Sequence, residues 1–205
     1  MKNVLKTLAA ASIILAACKP TVSRAALPEV GKEAPAFTLT DTHGKAVSLS
    51  DYRGKFVVLE WTNFDCPFVR KHYDSGNMQA LQKEYTDKGV AWLSICSSAK
   101  GKEGYRSAAE WNEALKERGS NTMALLDDSK GDVGRLYAAK ATPHMFVIDP
   151  KGVLIYKGAI DNRPTTDQAD IKGASNYVRM ALNEAMAGHP VSHAVTAAYG
   201  CSVKY

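Results

Sequence analysis

Cys66 stands where an apolar run meets a helical segment, and a thiol at such a junction can do chemistry. Phe56-Val57-Val58-Leu59-Glu60-Trp61 is apolar and β-branched apart from Glu60. A polar turn, Thr62-Asn63-Phe64-Asp65, follows, and Cys66-Pro67 opens a stretch of helical periodicity. A sulfur at a helix N-terminus lies at the positive end of the peptide dipoles, beside backbone N–H groups that no carbonyl takes up, so its thiolate is favoured. Proline suits the first helical position, where no N–H is needed. The thiolate is the reactive form of cysteine, so Cys66 reads as a nucleophile and as the most reactive thiol of the mature chain. Arg70 and Lys71 support that charge, and Asp65, next to the sulfur, opposes it.

Other residues are candidates to complete the site. Glu60 lies six residues before Cys66. Buried there, it would have a raised pKa and serve as a base near neutrality; at a sheet edge or beside a lysine it would be an ordinary charge. Asn63 either shapes the turn or offers its amide to the sulfur. His144 follows Thr142-Pro143 and is a candidate neighbour of the site, whereas His72, six positions into the helix, reads as surface or packing. Cys201 lies in a late segment that contains Pro190 and Gly200 and shows little helical pattern. A mobile tail can return its sulfur to Cys66, because closure entropy grows slowly with loop length; the alternatives are a free tail thiol or contact with a second subunit. Cys96 ends the second apolar run, where burial as a small apolar residue is the ordinary fate. Strand ends of that kind do, however, face the active edge of open α/β sheets. No second cysteine stands within four positions of Cys66, which argues against a metal site there, and neither metal nor cofactor is expected.

The elements that must position these residues alternate between strand and helix patterns. Residues 34–40 and 46–49 form a hairpin around Thr42-His43-Gly44-Lys45. Apolar strands are expected at 56–61, 90–95, 123–126, 145–148 and 153–156. Helices are expected from Cys66 to Tyr85 with an irregularity at Asp74-Ser75-Gly76, at 108–118, around 133–139 and at 177–186. This order points to an α/β fold with a mixed sheet. One domain, over residues 31–188, is expected, followed by a tail at 189–205.

The chain ends carry the address. Lys2 and Lys6 precede an uncharged stretch, Thr7 to Ala17, of the length of a signal-peptide apolar region and short for a membrane span. Leu15-Ala16-Ala17-Cys18 resembles the bacterial lipoprotein signal, in which residues 1–17 are removed and Cys18 receives lipid. The alternative is an ordinary leader cut near Ser23-Arg24-Ala25, giving a soluble periplasmic protein. Both place the domain on the periplasmic side of a bacterial cell envelope, and lipid on Cys18 would tether it to the membrane through residues 18–30 without a spanning helix. Loss of the leader removes two lysines and no acid, lowering the formal charge from +5 to +3. That charge is mild and scattered, and Lys100, Lys102 and Arg106 form one solvated group, so nucleic acid is not an expected partner. Without Cys18 three cysteines remain, an odd number that cannot all pair within one chain.

A strand, then Cys66-Pro67-Phe68-Val69 opening a helix, then a distant Thr142-Pro143 before another strand, resembles the thioredoxin fold. The leading hairpin, the start Pro35-Ala36-Phe37-Thr38-Leu39 and the tail Tyr199-Gly200-Cys201-Ser202-Val203-Lys204-Tyr205 narrow this further. Over about residues 28–205 the chain resembles the redoxin, peroxiredoxin-like (AhpC/TSA-related) branch. The resemblance implies a three-layer α/β/α sandwich with a mixed central sheet and an added N-terminal hairpin. It also implies a cis peptide before Pro143, where Thr142 and Pro143 offer backbone groups to an extended substrate, and a proton-relay role for Glu60. Two departures matter. Val69 replaces the second cysteine of Cys-x-x-Cys, so a mixed disulfide on Cys66 needs a distant thiol for its release, with Cys201 the better candidate and Cys96 the alternative. Asn63 and Leu59 occupy the Thr/Ser and Pro positions that orient peroxide in peroxiredoxins. The expected function is extracytoplasmic thiol oxidation and reduction, acting on protein thiols, disulfides or, weakly, peroxides. The alternatives are a thioredoxin-fold copper module and a catalytically silent, lipid-tethered scaffold.

Overall fold

In the computed structural model, residues 27–205 are described; the leader over 1–17 and Cys18 lie outside the described residues. In chain order the strands and α-helices are β1 (Thr38–Asp41), β2 (Ala46–Ser48), β3 (Val57–Trp61), α1 (Pro67–Asp74), α2 (Asn77–Thr86), β4 (Ala91–Cys96), α3 (Ala108–Glu117), β5 (Ala124–Asp127), α4 (Asp132–Leu136), β6 (Ala141–Thr142), β7 (His144–Ile148), β8 (Leu154–Gly158), α5 (Tyr177–Met186) and β9 (Cys201–Ser202). Strands β3 and β4 are buried at every position, as strands covered on both faces must be. They run parallel, Val57 opposite Ala91 and Trp61 opposite Ile95, and β5 continues the parallel set beyond β4. Antiparallel β7 and β8 lie on the other side of β3, and the β1–β2 hairpin extends the sheet antiparallel to β5. The Asp41 carboxylate closes that hairpin by accepting from the backbone N–H groups of His43 and Lys45 at 2.9 and 2.8 Å.

Alternation along β3 sends Val58 toward α1, α2 and α5, where it packs with Val69, Tyr73, Leu81 and Leu182. Val57, Leu59 and Trp61 face the other side, with Val133 of α4 and Phe37 and Val47 of the N-terminal segment. The result is a three-layer α/β/α sandwich with a mixed sheet. The irregularity read at Asp74-Ser75-Gly76 is the break between α1 and α2: the Ser75 hydroxyl donates to the Lys71 carbonyl at 2.7 Å, and Gly76 takes φ 76°. Among the described residues, no helix is long and apolar enough to cross a membrane.

Both ends of the domain differ from the sequence reading. Pro28, expected in the tether over 18–30, is already bound, its carbonyl accepting from Lys157 Nζ at 2.7 Å, and Gly31 N, at the expected start of the domain, donates to Leu154 O at 2.8 Å. The tail expected to be mobile is seated along its length. Strand β9 pairs antiparallel with β6, Thr142 opposite Cys201, and Ala99 N donates to Lys204 O at 2.8 Å. The Tyr205 hydroxyl donates to Ala139 O at 2.8 Å. Two glycines permit this approach: a Cβ at Gly158 would overlap Thr196, and a Cβ at Gly200 would overlap the Thr142 carbonyl. Two-residue strands and side-chain anchors leave no hydrophobic periodicity, which is why the segment reads as irregular.

Candidate active site

Cys66 is the N-cap of α1, and its backbone N–H donates to the Asn63 carbonyl at 3.0 Å, which closes the turn out of β3. The peptide between Thr142 and Pro143 is cis. It carries the Thr142 carbonyl to 3.1 Å from Cys66 Sγ, within reach of a donated S–H. Because Thr142 pairs with Cys201 across β6 and β9, Cys201 Sγ also arrives there, 2.6 Å from Cys66 Sγ. Cys66 is fully buried, whereas Cys201 is only partly covered. Burial and the neighbouring Cys66 push the Cys201 thiol up to about 12. The Thr142 hydroxyl oxygen is buried with no hydrogen-bond partner among the described residues.

The charges near Cys66 are arranged differently from the sequence reading. Asp65 points outward, accepting from Arg106 Nη2 at 2.6 Å and Gly104 N at 3.1 Å, so Arg106 offsets its charge. Lys71 is buried and donates to the Arg163 carbonyl at 2.8 Å, so it is bound there and makes no hydrogen bond to the sulfur. Asn63 is also committed elsewhere: its Oδ1 accepts from Asp65 N at 2.9 Å and its Nδ2 faces Glu103 O at 3.5 Å. It shapes the turn and gives nothing to the sulfur. Burial of Cys66 likewise opposes the expectation, drawn from its helix N-terminus placement, that it is the most reactive thiol of the mature chain.

Glu60 has no exposed surface, and among the described residues no lysine pairs with it. Its carboxylate accepts from Tyr73 at 3.0 Å, Gln82 at 3.1 Å, Trp92 at 2.8 Å and Ser94 at 3.2 Å. Burial raises its pKa, and those four donors partly offset the rise. The four bonds tie α1, α2 and β4 to the centre of β3, and neither sulfur is among the partners. Cys96 is buried with its Sγ 3.6 Å from Gly104 O, and burial raises its thiol too.

The AhpC/TSA family model matches residues 30–157, more than half of the chain. The chain belongs to the AhpC/TSA family. A thiol-disulfide oxidoreductase ResA from Bacillus thuringiensis is 28% identical over 145 residues, covering 69% of this chain and 75% of that protein. A thioredoxin peroxidase from Echinococcus granulosus is 37% identical over 137 residues, covering 61% and 68%. A solved structure of an uncharacterized conserved protein from Geobacillus kaustophilus superposes with a TM-score of 0.73 at 27% identity, covering 86% of this chain and 92% of that one. The fold of this AhpC/TSA chain is thioredoxin-like.

Two residues near the site in this family member, Tyr199 and Asp161, have roles that escape a sequence reading, and they meet His72, which the sequence reads as surface or packing and the fold buries. Tyr199, two positions before Cys201, donates its hydroxyl to Asp161 Oδ1 at 2.5 Å and lies 3.4 Å from His72 Nε2. Its ring meets Phe68 edge-on with centroids 5.9 Å apart. Asp161 and His72 thereby anchor the strand that carries Cys201, and His72 is fully buried. No local pattern signals that a loop aspartate, a helix histidine and a tail tyrosine meet.

His144 is placed away from the sulfurs. Met145 packs in the cluster that contains Cys66, so His144 faces the opposite side of β7, its ring 4.5 Å from that of Phe146. Its Nδ1 accepts from Lys140 N at 3.3 Å. Burial lowers the pKa of both His72 and His144 to about 4, with Asp161 partly opposing the shift at His72 and Lys140 adding to it at His144. A histidine whose folded pKa is depressed takes up its proton on unfolding. Its contribution to stability is therefore present above pH 6.5 and is lost as pH falls toward 4, on the order of 3 kcal/mol per residue at full protonation. Glu60 acts in the opposite sense, its burial costing more as pH rises above the ordinary carboxylate range. Comparison with a variant isolates the histidine effect. Urea unfolding at ~pH 7 and ~pH 4.5 should show a smaller acid loss in His144→Asn than in the unmodified protein. Equal losses would mean that His144 is not held neutral.

Proposed function

We propose that the protein is a thiol oxidoreductase in which Cys66 and Cys201 alternate between two thiols and one disulfide, exchanging electrons with protein thiols and disulfides. The observation that carries this reading is the approach of the two sulfurs to 2.6 Å beside the cis Thr142–Pro143 peptide. Two thiols held together can take a disulfide from a partner, or return one to it, with no bound cofactor. The match to a thiol-disulfide oxidoreductase ResA supports the same chemistry. In this reading Thr142 and Pro143 hold the pair together through backbone groups, and Glu60 is the buried carboxyl that braces the strand before the nucleophile. The leader and Cys18 motif support a place on the periplasmic side of a bacterial envelope, tethered by lipid.

Redox titration in glutathione buffers, followed by peptide mapping, tests the pairing. One disulfide, Cys66 to Cys201, should appear, with Cys96 reduced throughout. A Cys66–Cys96 bond, or no intramolecular bond, would overturn it. Peroxide reduction is the second reading, favoured by the match to a thioredoxin peroxidase. Against it, Asn63 is bound within its turn and Leu59 is buried in β3, so the groups that would orient peroxide are missing. Removing such preorganised donors costs roughly 100-fold or more. Oxidation by hydrogen peroxide, followed by stopped flow, should be slower by that factor than in a family member with the full motif; equal rates would make peroxide a principal substrate.

A further inference from the structure

The two sulfurs of the pair are unequally placed. Cys66 Sγ has the Thr142 carbonyl at 3.1 Å and Cys201 Sγ at 2.6 Å, and the residue packs among Val69, Tyr73 and Met145 with no exposed surface. Cys201 is partly exposed, at the start of β9. We propose that Cys201, rather than Cys66, is the sulfur that incoming thiols attack and to which partner proteins become bonded, with Cys66 as the inner, leaving sulfur. This rests on the reading of Cys66 and Cys201 as the redox pair.

Three further observations lead to the same assignment. An attacking thiolate approaches a disulfide along the sulfur–sulfur axis, from behind the sulfur it will bond. Cys66 has no exposed surface through which such an approach could be made. The leaving sulfur should be the one whose thiolate is better stabilised, and Cys66 sits at the N-terminus of α1 while Cys201 sits in a strand. In addition, β9 itself occupies the backbone edge of β6 beside the cis-proline. A partner polypeptide cannot add to that edge while the tail is seated, and the exposed sulfur of the tail is what it meets.

The step balances as follows. A partner thiolate bonds to Cys201 Sγ, the Cys66–Cys201 bond breaks, and Cys66 leaves as a thiolate that takes a proton. A second partner thiolate then attacks the partner sulfur of the mixed disulfide and releases Cys201. Two partner thiols are oxidised to one disulfide, and one enzyme disulfide is reduced to two thiols.

The test uses the oxidised full chain, mapped first to show the Cys66–Cys201 bond, then mixed with reduced glutathione, quenched in acid within the first turnover and capped with maleimide while acidic. Glutathione should be found on Cys201 and maleimide on Cys66. Glutathione on Cys66 would overturn the assignment and leave the pairing intact, whereas absence of the starting bond would overturn both. A second measurement needs no disulfide. Replacing Cys66 removes its contribution to the raised Cys201 pKa, so access decides: reduced Cys66→Ser, which keeps the partly exposed Cys201, should react with an aromatic disulfide reagent roughly tenfold or more faster than reduced Cys201→Ser, which keeps the fully buried Cys66. The reverse order would overturn the proposal.

Discussion

Cys66→Ser and Cys201→Ser should each lower catalysed disulfide exchange by roughly 100-fold or more, to what a lone thiol supports. The fold holds the two sulfurs 2.6 Å apart, so each serves the other at an effective concentration that no solution thiol matches. Cys96 cannot substitute. It closes a fully buried strand, its Sγ faces the Gly104 carbonyl at 3.6 Å, and it makes no hydrogen bond to Cys66 or Cys201 among the described residues. Cys96→Ser should accordingly leave turnover within about twofold of the unmodified chain. The two active-pair variants should differ in what they accumulate. Cys66→Ser should collect a stable mixed disulfide on the accessible Cys201, and Cys201→Ser should remain largely unmodified. Steady-state reduction of a disulfide-bonded reporter protein, with mass analysis of the enzyme after the assay, measures both. Substantial turnover in Cys201→Ser would show that the tail has no part in the chemistry.

The central elements were legible in the sequence because each follows from local chemistry. The buried strands β3 and β4 show as continuous apolar runs, the break between α1 and α2 as Ser75-Gly76, and the N-cap at Cys66 as a cysteine followed by proline. The cis Thr142–Pro143 peptide agrees with the resemblance of this segment to a family loop. What the sequence does not display is direction. His144 and Asn63 lie close to the site along the chain, yet the pleat turns His144 to the far face of β7 and the Asx turn consumes the Asn63 amide. Asp65, read as opposing the thiolate, is paired with Arg106, forty-one positions away, which no local window reveals. The seat of the tail was hidden for the same reason. Its anchors are single contacts between distant residues, Tyr199 to Asp161 and Tyr205 to Ala139, which leave no periodic trace.

Gly200→Ala should lift Cys201 away from Cys66 and so separate the role of the tail from that of the buried sulfur. Gly200 has φ 134°, which side-chain-bearing residues rarely adopt, and a Cβ there would overlap the Thr142 carbonyl, the group that also contacts Cys66. Neither conflict can be relieved by a side-chain rotation, because both involve backbone. The seated form of β9 should therefore lose on the order of 2–4 kcal/mol, a shift of roughly 30- to 1,000-fold in the docking equilibrium. The global fold should hold, because β9 pairs only with the two-residue β6 and lies outside the seven-stranded sheet. Three readouts follow. The urea midpoint should stay close to that of the unmodified protein, the Cys66–Cys201 disulfide should form only in more oxidising glutathione buffers, and reduced Cys66 should become open to alkylation. The last readout is the decisive one, since it asks whether the tail is what covers the buried thiol. If Cys66 in Gly200→Ala alkylates no faster than in the unmodified chain, the cover belongs to α1 and the cis-proline loop, and the tail is only a carrier for Cys201.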